Sequence, residues 1–169
     1  MAVGKSTVGR QLAQSLKMPF FDADSEIESR TGAEISWIFD VEGEEGFRNR
    51  EAVVIDELTQ QAGIVLATGG GAILREENRR HLAARGTVVY LDSSIEKLIA
   101  RTRRDTKRPL LQSANPAQTL RDLKRKRDPL YAEIADHRVM TDHRGASVVT
   151  RKILKLLEQD LQTAQQARS

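Results

Sequence analysis

The sequence contains no cysteine among its 169 residues, which excludes a disulfide scaffold, a thiolate metal site and a cysteine nucleophile. Aromatic residues make up only 4% of the chain, few for a surface that stacks on nucleotide bases. The longest apolar runs, such as residues 64–67, are far too short to span a bilayer. The N-terminus has no basic-then-apolar signal pattern. We therefore expect a cytoplasmic protein, a single domain over residues 1–169, that binds neither membrane nor nucleic acid.

Charge is distributed unevenly along the chain, although the formal net charge is only +3. Residues 101–127 hold ten basic side chains against two acidic ones, and no aromatic residue. This pattern predicts a mobile basic lid, at about residues 101–115, that closes over an anionic ligand. A solvated charged face and a basic RNA-binding domain are the alternatives. The C-terminal residues 159–169 are expected to be disordered.

Short β-rich runs alternate with longer helical patterns, which is typical of βαβ units and a mostly parallel sheet. The two aromatic residues Trp37 and Phe39 are interpreted as packing residues. Because ligands bind beyond the carboxyl ends of parallel strands, the residues that follow each run are the candidates for a site. The predicted strands are residues 19–21, 64–68, 87–92 and 137–141. The predicted helices are residues 6–17, 44–61, 75–84, 94–103, 118–131 and 146–161.

Gly4, Lys5, Ser6 and Thr7 open the first predicted helix. The free N–H groups and the positive dipole at a helix start attract phosphate. In this pattern the lysine reaches the β- and γ-phosphates and Ser6 binds Mg²⁺. The alternative is an ordinary helix N-cap supplied by Ser6 or Thr7.

Asp22 and Asp24 follow the first predicted strand and are two residues apart. Both carboxylates point to the same side if the extended backbone continues. One suits Mg²⁺ or its water shell, and the other suits a substrate hydroxyl. The alternative is that Asp24 caps the following helix.

Arg48 and Glu51 share one helical face, where the arginine fork suits a substrate carboxylate and the glutamate would hold it in place. A surface ion pair is the alternative interpretation. The three glycines at residues 69–71 follow the most apolar strand and let the backbone pass close to a ligand, unless they form a plain flexible turn. Arg108, in the basic segment, could stabilise charge on a transferring phosphoryl group.

Taken together, these motifs resemble the shikimate kinases. The resemblance extends from Met1 to about Leu157 and includes six motifs in the family's order. The motifs are GKST at 4–7, DAD at 22–24, EEGFRNRE at 44–51, ATGGGA at 67–72, RPLL at 108–111 and RDPLY at 127–131.

The resemblance implies a three-layer α/β P-loop kinase fold with five parallel strands. It also implies transfer of the ATP γ-phosphoryl group, with Mg²⁺, to the 3-hydroxyl of shikimate, a step towards the aromatic amino acids. The implied catalytic residues are Lys5, Asp24 and Arg108, and the implied metal ligands are Ser6 and Asp22. The nucleotide-binding residues are implied to be Ala2, Val3, Gly4, Lys5, Ser6, Thr7, Arg101, Arg108 and Arg144. The substrate-binding residues are implied to be Asp24, Arg48, Glu51, Gly69, Gly70, Gly71 and Arg127.

The sequence departs from the family pattern at its start. Ala2 stands where the family usually has glycine, and the preceding strand and first loop glycine do not occur in the sequence. We expect the native protein to continue upstream with an apolar strand and a glycine. The rival functions are a gluconate-kinase-like enzyme of the same fold and a catalytically silent nucleotide-binding module. The expected partners are ATP and shikimate, and the expected state is a monomer.

Overall fold

A computed structural model describes residues 3–102, 115–141 and 145–167, so Ala2, Arg108 and Arg144 lie outside the described residues. The helices are α1 (Lys5–Leu16), α2 (Ala23–Thr31), α3 (Ile35–Thr59), α4 (Glu76–Arg85), α5 (Ile95–Thr102), α6 (Pro116–Ile134) and α7 (Ala146–Gln166). The strands are β1 (Phe20–Asp22), β2 (Val65–Ala67), β3 (Val89–Asp92) and β4 (His137–Met140), with a short 3₁₀ helix at Ala72–Leu74.

The strand pairing is parallel, as predicted, and occurs in two separate pieces. β1 pairs with β2, and β3 pairs with β4. Among the described residues, no strand joins the two pieces. The described residues therefore form four strands, where the resemblance implied five.

A cavity of about 660 Å³ lies between the two pieces of sheet. Residues of β2 and β3 line it, together with apolar side chains of α1 and α7 such as Leu12 and Ile153. Charged side chains, among them Lys5 and Arg127, line it as well, so it is a partly open cleft that reaches the polar residues at the carboxyl ends of the strands.

Two hydrophobic clusters hold the layers together. In the first, Ala23 and Ile27 of α2 pack against buried residues of α3, including Phe47 and Leu58. In the second, the apolar face of α1 packs against α7 and β4 through Val8, Leu12, Val139, Val149 and Ile153. The first cluster supports the carboxyl end of β1, and the second fixes the start of α1.

Three elements differ from the sequence-based prediction. Helix α2 was not predicted, and α3 begins at Ile35 rather than at residue 44, with a kink at Gly43 (φ 72°). Helix α7 continues to Gln166, so most of the tail expected to be disordered is helical. Trp37 is 54% exposed rather than packed, whereas Phe39 does contact Phe47. Within the described residues, no helix is both long enough and apolar enough to cross a membrane.

Candidate active site

Asp22 is the centre of a polar cluster at the carboxyl end of β1. Its Oδ2 accepts hydrogen bonds from the Ser6 hydroxyl (2.6 Å) and from Lys5 Nζ (2.9 Å). Its Oδ1 accepts the backbone N–H of Asp24 (3.2 Å). Burial raises the pKa of Asp22, but the hydrogen bonds from Ser6 and Lys5 outweigh this effect and leave the pKa below its ordinary value. Asp22 is therefore an anionic centre facing the start of α1.

The first turn of α1 is not capped by a side chain. Gly4 occupies the N-cap position with a left-handed backbone (φ 83°), which glycine adopts without strain. Because no side chain caps this helix, the alternative in which Ser6 or Thr7 acts as the N-cap is wrong. The first turn has no acidic residue either. Its N–H groups and its positive dipole end are therefore suited to an anion.

Asp24 lies in the first turn of α2, close to both Lys5 and the glycine segment. Its Oδ2 is 3.7 Å from Lys5 Nζ. The N-cap of α2 is Asp22 rather than Asp24, so the capping alternative for Asp24 is wrong and its side chain is not used for a cap. A Cβ placed on Gly69 would lie 3.0 Å from Asp24 Oδ1 and 3.1 Å from Glu51 Oε1. Glycine at 69 thus lets the backbone approach these two carboxylates.

Arg48 and Glu51 form a buried ion pair rather than a surface pair. Arg48 is 7% exposed and Glu51 is fully buried, and Arg48 Nη1 donates to Glu51 Oε2 over 2.6 Å. Burial raises the pKa of Glu51, although Arg48 opposes this shift. The second oxygen, Oε1, has no hydrogen-bond partner among the described residues. A Cβ on Gly71 would overlap the Arg48 guanidinium, with Nη1 only 2.6 Å away.

Arg127, on α6, is a second buried arginine. It is 3% exposed, and its Nε has no hydrogen-bond partner among the described residues. Burial lowers its pKa, and the positive charge of Arg48 lowers it further. Two buried guanidinium groups within electrostatic range of each other favour an anionic ligand, because a carboxylate accepts two hydrogen bonds from an arginine fork.

Tyr131 is a residue of this site that the sequence analysis did not select. Its hydroxyl donates to the carbonyl oxygen of Gly70 over 2.7 Å, and its ring stacks on Tyr90 with the ring centroids 4.3 Å apart. Burial raises the pKa of Tyr131 to about 12, so the hydroxyl remains a donor. The sequence does contain a signal that could have identified Tyr131. It lies four residues after Arg127, which puts both side chains on one face of α6.

The remaining predicted residues lie beside this cluster, near the end of β4 or outside the described residues. Val3, Gly69 and Gly70 line the cavity next to this cluster, and Thr7 is exposed in the first turn of α1. Arg101, on α5, donates to the Thr141 carbonyl oxygen (3.0 Å) beyond the end of β4. Ala2, Arg108, Arg144 and most of the predicted lid lie outside the described residues.

The shikimate kinase family profile matches residues 1–158 of this chain. A shikimate kinase from Vibrio parahaemolyticus is 60% identical over 159 residues, covering 94% of this chain and 92% of that protein. The chain belongs to the shikimate kinase family. A structure of the shikimate kinase from Acinetobacter baumannii in complex with shikimate superimposes with a TM-score of 0.92 at 52% identity, covering 95% of this chain and 89% of the other.

A gluconokinase from Sinorhizobium meliloti is a more distant structural neighbour. It superimposes with a TM-score of 0.63 at 18% identity, covering 97% of this chain and 92% of the other, so this likeness shows the fold alone. The parallel α/β architecture and the P-loop kinase fold implied by the six motifs are thereby confirmed, and so is membership of a kinase family.

Proposed function

We propose that this chain transfers the γ-phosphoryl group of ATP to the 3-hydroxyl of shikimate, giving shikimate 3-phosphate and ADP. The observation that carries the proposal is the pair of buried guanidinium groups, Arg48 and Arg127, beside the Asp24 carboxylate and the glycine segment 69–71. The substrate must then carry a carboxylate at one end and a reactive hydroxyl at the other, as shikimate does.

The carboxylate end of the substrate pairs with the arginines. Arg127 has an unpartnered Nε that a substrate carboxylate would satisfy. Arg48 is held in place by Glu51 and, more weakly, by Glu44, whose Oε1 lies 3.1 Å from Arg48 Nη2. Arg48 is therefore positioned before substrate arrives, so its side chain loses little conformational entropy on binding.

The start of α1 is the proposed binding site for the phosphates of ATP. Gly4, the first-turn N–H groups and Lys5 suit the β- and γ-phosphates of ATP, with Thr7 and the preceding residues Ala2 and Val3 completing the loop. Arg101, Arg108 and Arg144 are proposed to contact the nucleotide, Arg108 at the transferring phosphoryl group.

The residues at the end of β1 fit a magnesium ion bound with the nucleotide. Mg²⁺ is commonly held by one or two carboxylates together with substrate phosphates, and Asp22 with the Ser6 hydroxyl forms such an oxygen donor set. Its ionised carboxylate is the required form, since the pKa of Asp22 lies below its ordinary value. When bound, Mg²⁺ neutralises charge on the phosphate oxygens.

Asp24 is proposed to act on the 3-hydroxyl of shikimate. Its carboxylate accepts the hydroxyl hydrogen and aims the oxygen at the γ-phosphorus, while Lys5, 3.7 Å away, stabilises charge on the transferring group. In a loose phosphoryl-transfer transition state, this positioning supplies much of the catalysis.

Release of ADP from MgATP, with and without shikimate, tests the proposed function. We expect shikimate to stimulate release strongly and gluconate to have no effect. Gluconate also carries a carboxylate, so the comparison tests the identity of the substrate and not only its charge. Stimulation by gluconate instead would contradict the substrate assignment. ATP binding without stimulation by either compound would identify a silent nucleotide-binding module.

Gly71→Ala is expected to raise the KM for shikimate about 10- to 100-fold with a smaller change in kcat. The backbone at Gly71 (φ −102°) accepts an L side chain, so the effect comes from the new methyl group displacing the Arg48 guanidinium. Steady-state kinetics against shikimate at saturating ATP measures it. Gly86→Ala is the matched control, because a Cβ there meets nothing within 4 Å. An unchanged KM in Gly71→Ala would show that Arg48 does not bind the substrate.

Tyr131→Phe is expected to raise the KM for shikimate about fivefold, the loss of one hydrogen bond of roughly 1 kcal/mol, and to leave the KM for ATP unchanged. The variant keeps the ring stacked on Tyr90 and removes only the bond to the Gly70 carbonyl. Tyr90→Phe is the control, since its hydroxyl contacts Asp92 and Asp128 rather than the glycine segment. Equal effects of both variants on the KM for shikimate would contradict a specific role for Tyr131.

A further inference from the structure

Side chains of α4 hold the turn that follows the glycine segment. Residues 72–74 form a 3₁₀ helix, and buried backbone carbonyl groups of such a turn need hydrogen-bond donors. The Asn78 side-chain amide donates to the Ala72 carbonyl oxygen over 2.9 Å. Arg79 Nη1 donates to the Ile73 carbonyl oxygen over 2.8 Å. The backbone that leaves the glycine segment is therefore fixed by the first turns of α4.

Helix α4 is also tied to α3 at both of its ends. Arg75, its N-cap residue, donates hydrogen bonds to the side chains of Glu45 and Asn49. Arg85, its last residue, donates to the Asp56 carboxylate over 2.6 Å. Since α3 carries one of the two arginines proposed for the substrate carboxylate, α4 has a fixed position relative to that arginine.

Arg79 connects this assembly to α6, the helix that carries the second substrate arginine. While Nη1 holds the Ile73 carbonyl, Arg79 Nε donates to Glu133 Oε1 of α6 over 3.2 Å. Arg48 and Arg127 carry like charges, and the charge of Arg48 lowers the pKa of Arg127. Their repulsion pushes α3 and α6 apart when no carboxylate lies between them. The Arg79 bridge opposes this separation.

We propose that Arg79 is a positioning residue for the binding of shikimate, and that it sets the separation between Arg48 and Arg127 by joining α4 to α6. The inference rests on the proposed function, because it concerns the site proposed for the shikimate carboxylate. Arg79 acts through the 3₁₀ turn and α6, and it has no part in the transfer of the phosphoryl group. Loss of the bridge therefore weakens shikimate binding more than it affects ATP binding or the chemical step.

Arg79→Met tests this role by steady-state kinetics with each substrate varied at saturation of the other. We expect the KM for shikimate to rise about tenfold, kcat to change less than about twofold and the KM for ATP to stay the same. Methionine keeps much of the apolar stem but donates to neither Ile73 nor Glu133. Arg80→Met is the matched control, because it makes the same change at the next position of α4, which is exposed.

Glu133→Gln provides a second variant that does not endanger folding, since the Glu133 side chain is 53% exposed. It weakens only the α6 end of the bridge, so we expect a two- to threefold rise in the KM for shikimate, about the size of an exposed ion pair. Combined with Arg79→Met, it should add nothing further, because both substitutions remove the same bridge. A Glu133→Gln effect that persists at full size in the Arg79→Met background overturns the bridge.

The remaining outcomes distinguish the positioning role from a purely structural one. A lower thermal midpoint of Arg79→Met with both KM values unchanged overturns the proposal, because Arg79 would then only stabilise the fold. If Arg79→Met does not fold, an unchanged KM for shikimate in Glu133→Gln overturns it instead. A wild-type protein without shikimate-stimulated turnover overturns the proposed function and this inference with it, and that result is known before any variant is compared.

Discussion

Lys5→Met is expected to lower kcat for shikimate phosphorylation about 1,000-fold. The Lys5 ammonium group is the described cation nearest to both carboxylates of the site, 2.9 Å from Asp22 and 3.7 Å from Asp24. Methionine has a similar shape but no charge, so the variant removes stabilisation of the transferring phosphoryl group and preserves most of the packing. ADP release at saturating ATP and shikimate measures the effect.

Lys155→Met is the control for this variant, because it makes the same change at an exposed position on α7. It should leave kcat unchanged. Turnover retained in Lys5→Met would mean that the start of α1 is not the phosphate site. A wild-type protein with no turnover at all, and hence no effect of either substitution, would be the behaviour of a silent nucleotide-binding module.

Asp24→Asn is expected to reduce kcat by a factor of at least about 100 and to change the KM for ATP by much less. Asparagine retains the size of the side chain but loses the negative charge that accepts the hydroxyl hydrogen. Initial rates over a matrix of ATP and shikimate concentrations separate kcat from the two KM values.

Asp122→Asn is the control for this variant, because it makes the same change at an exposed position on α6. The Asp122 carboxylate accepts a hydrogen bond from the Gln118 side chain. Equal kcat values for Asp24→Asn and the wild-type protein would remove Asp24 from the mechanism. A large rise in the KM for ATP with unchanged kcat would instead assign Asp24 to nucleotide binding.

The sequence predicted much of the candidate site because its residues follow strand ends or lie on regular helix faces. Asp22 ends β1, Asp24 follows it and Gly69 follows β2, and the carboxyl ends of adjacent parallel strands meet at one edge. The spacing of Arg48 and Glu51 predicted a pair, but their burial depends on packing from other elements. Tyr131 was missed because its partner is a backbone carbonyl, which no side-chain motif reveals.

The fold was predicted less completely for two physical reasons. Helix α2 has only Ala23 and Ile27 as buried residues, so its sequence carries little helical hydrophobic periodicity. Helix α3 was expected to begin at residue 44, whereas in the structure it continues through Gly43, whose left-handed backbone (φ 72°) is more typical of a helix end. The backbone is helical both before and after Gly43. Ile38, before the kink, and Phe47, after it, are buried in the same hydrophobic cluster.

The kink at Gly43 divides α3 into a first half with Trp37 and a second half with Arg48 and Glu51. Trp37 is the only tryptophan in the chain, and its ring is exposed. All intrinsic tryptophan fluorescence therefore arises from one ring on the first half of the helix. A shift of the emission maximum when shikimate is added would show that the surroundings of this ring change on binding. The protein thus carries an optical reporter of this helix without any added label.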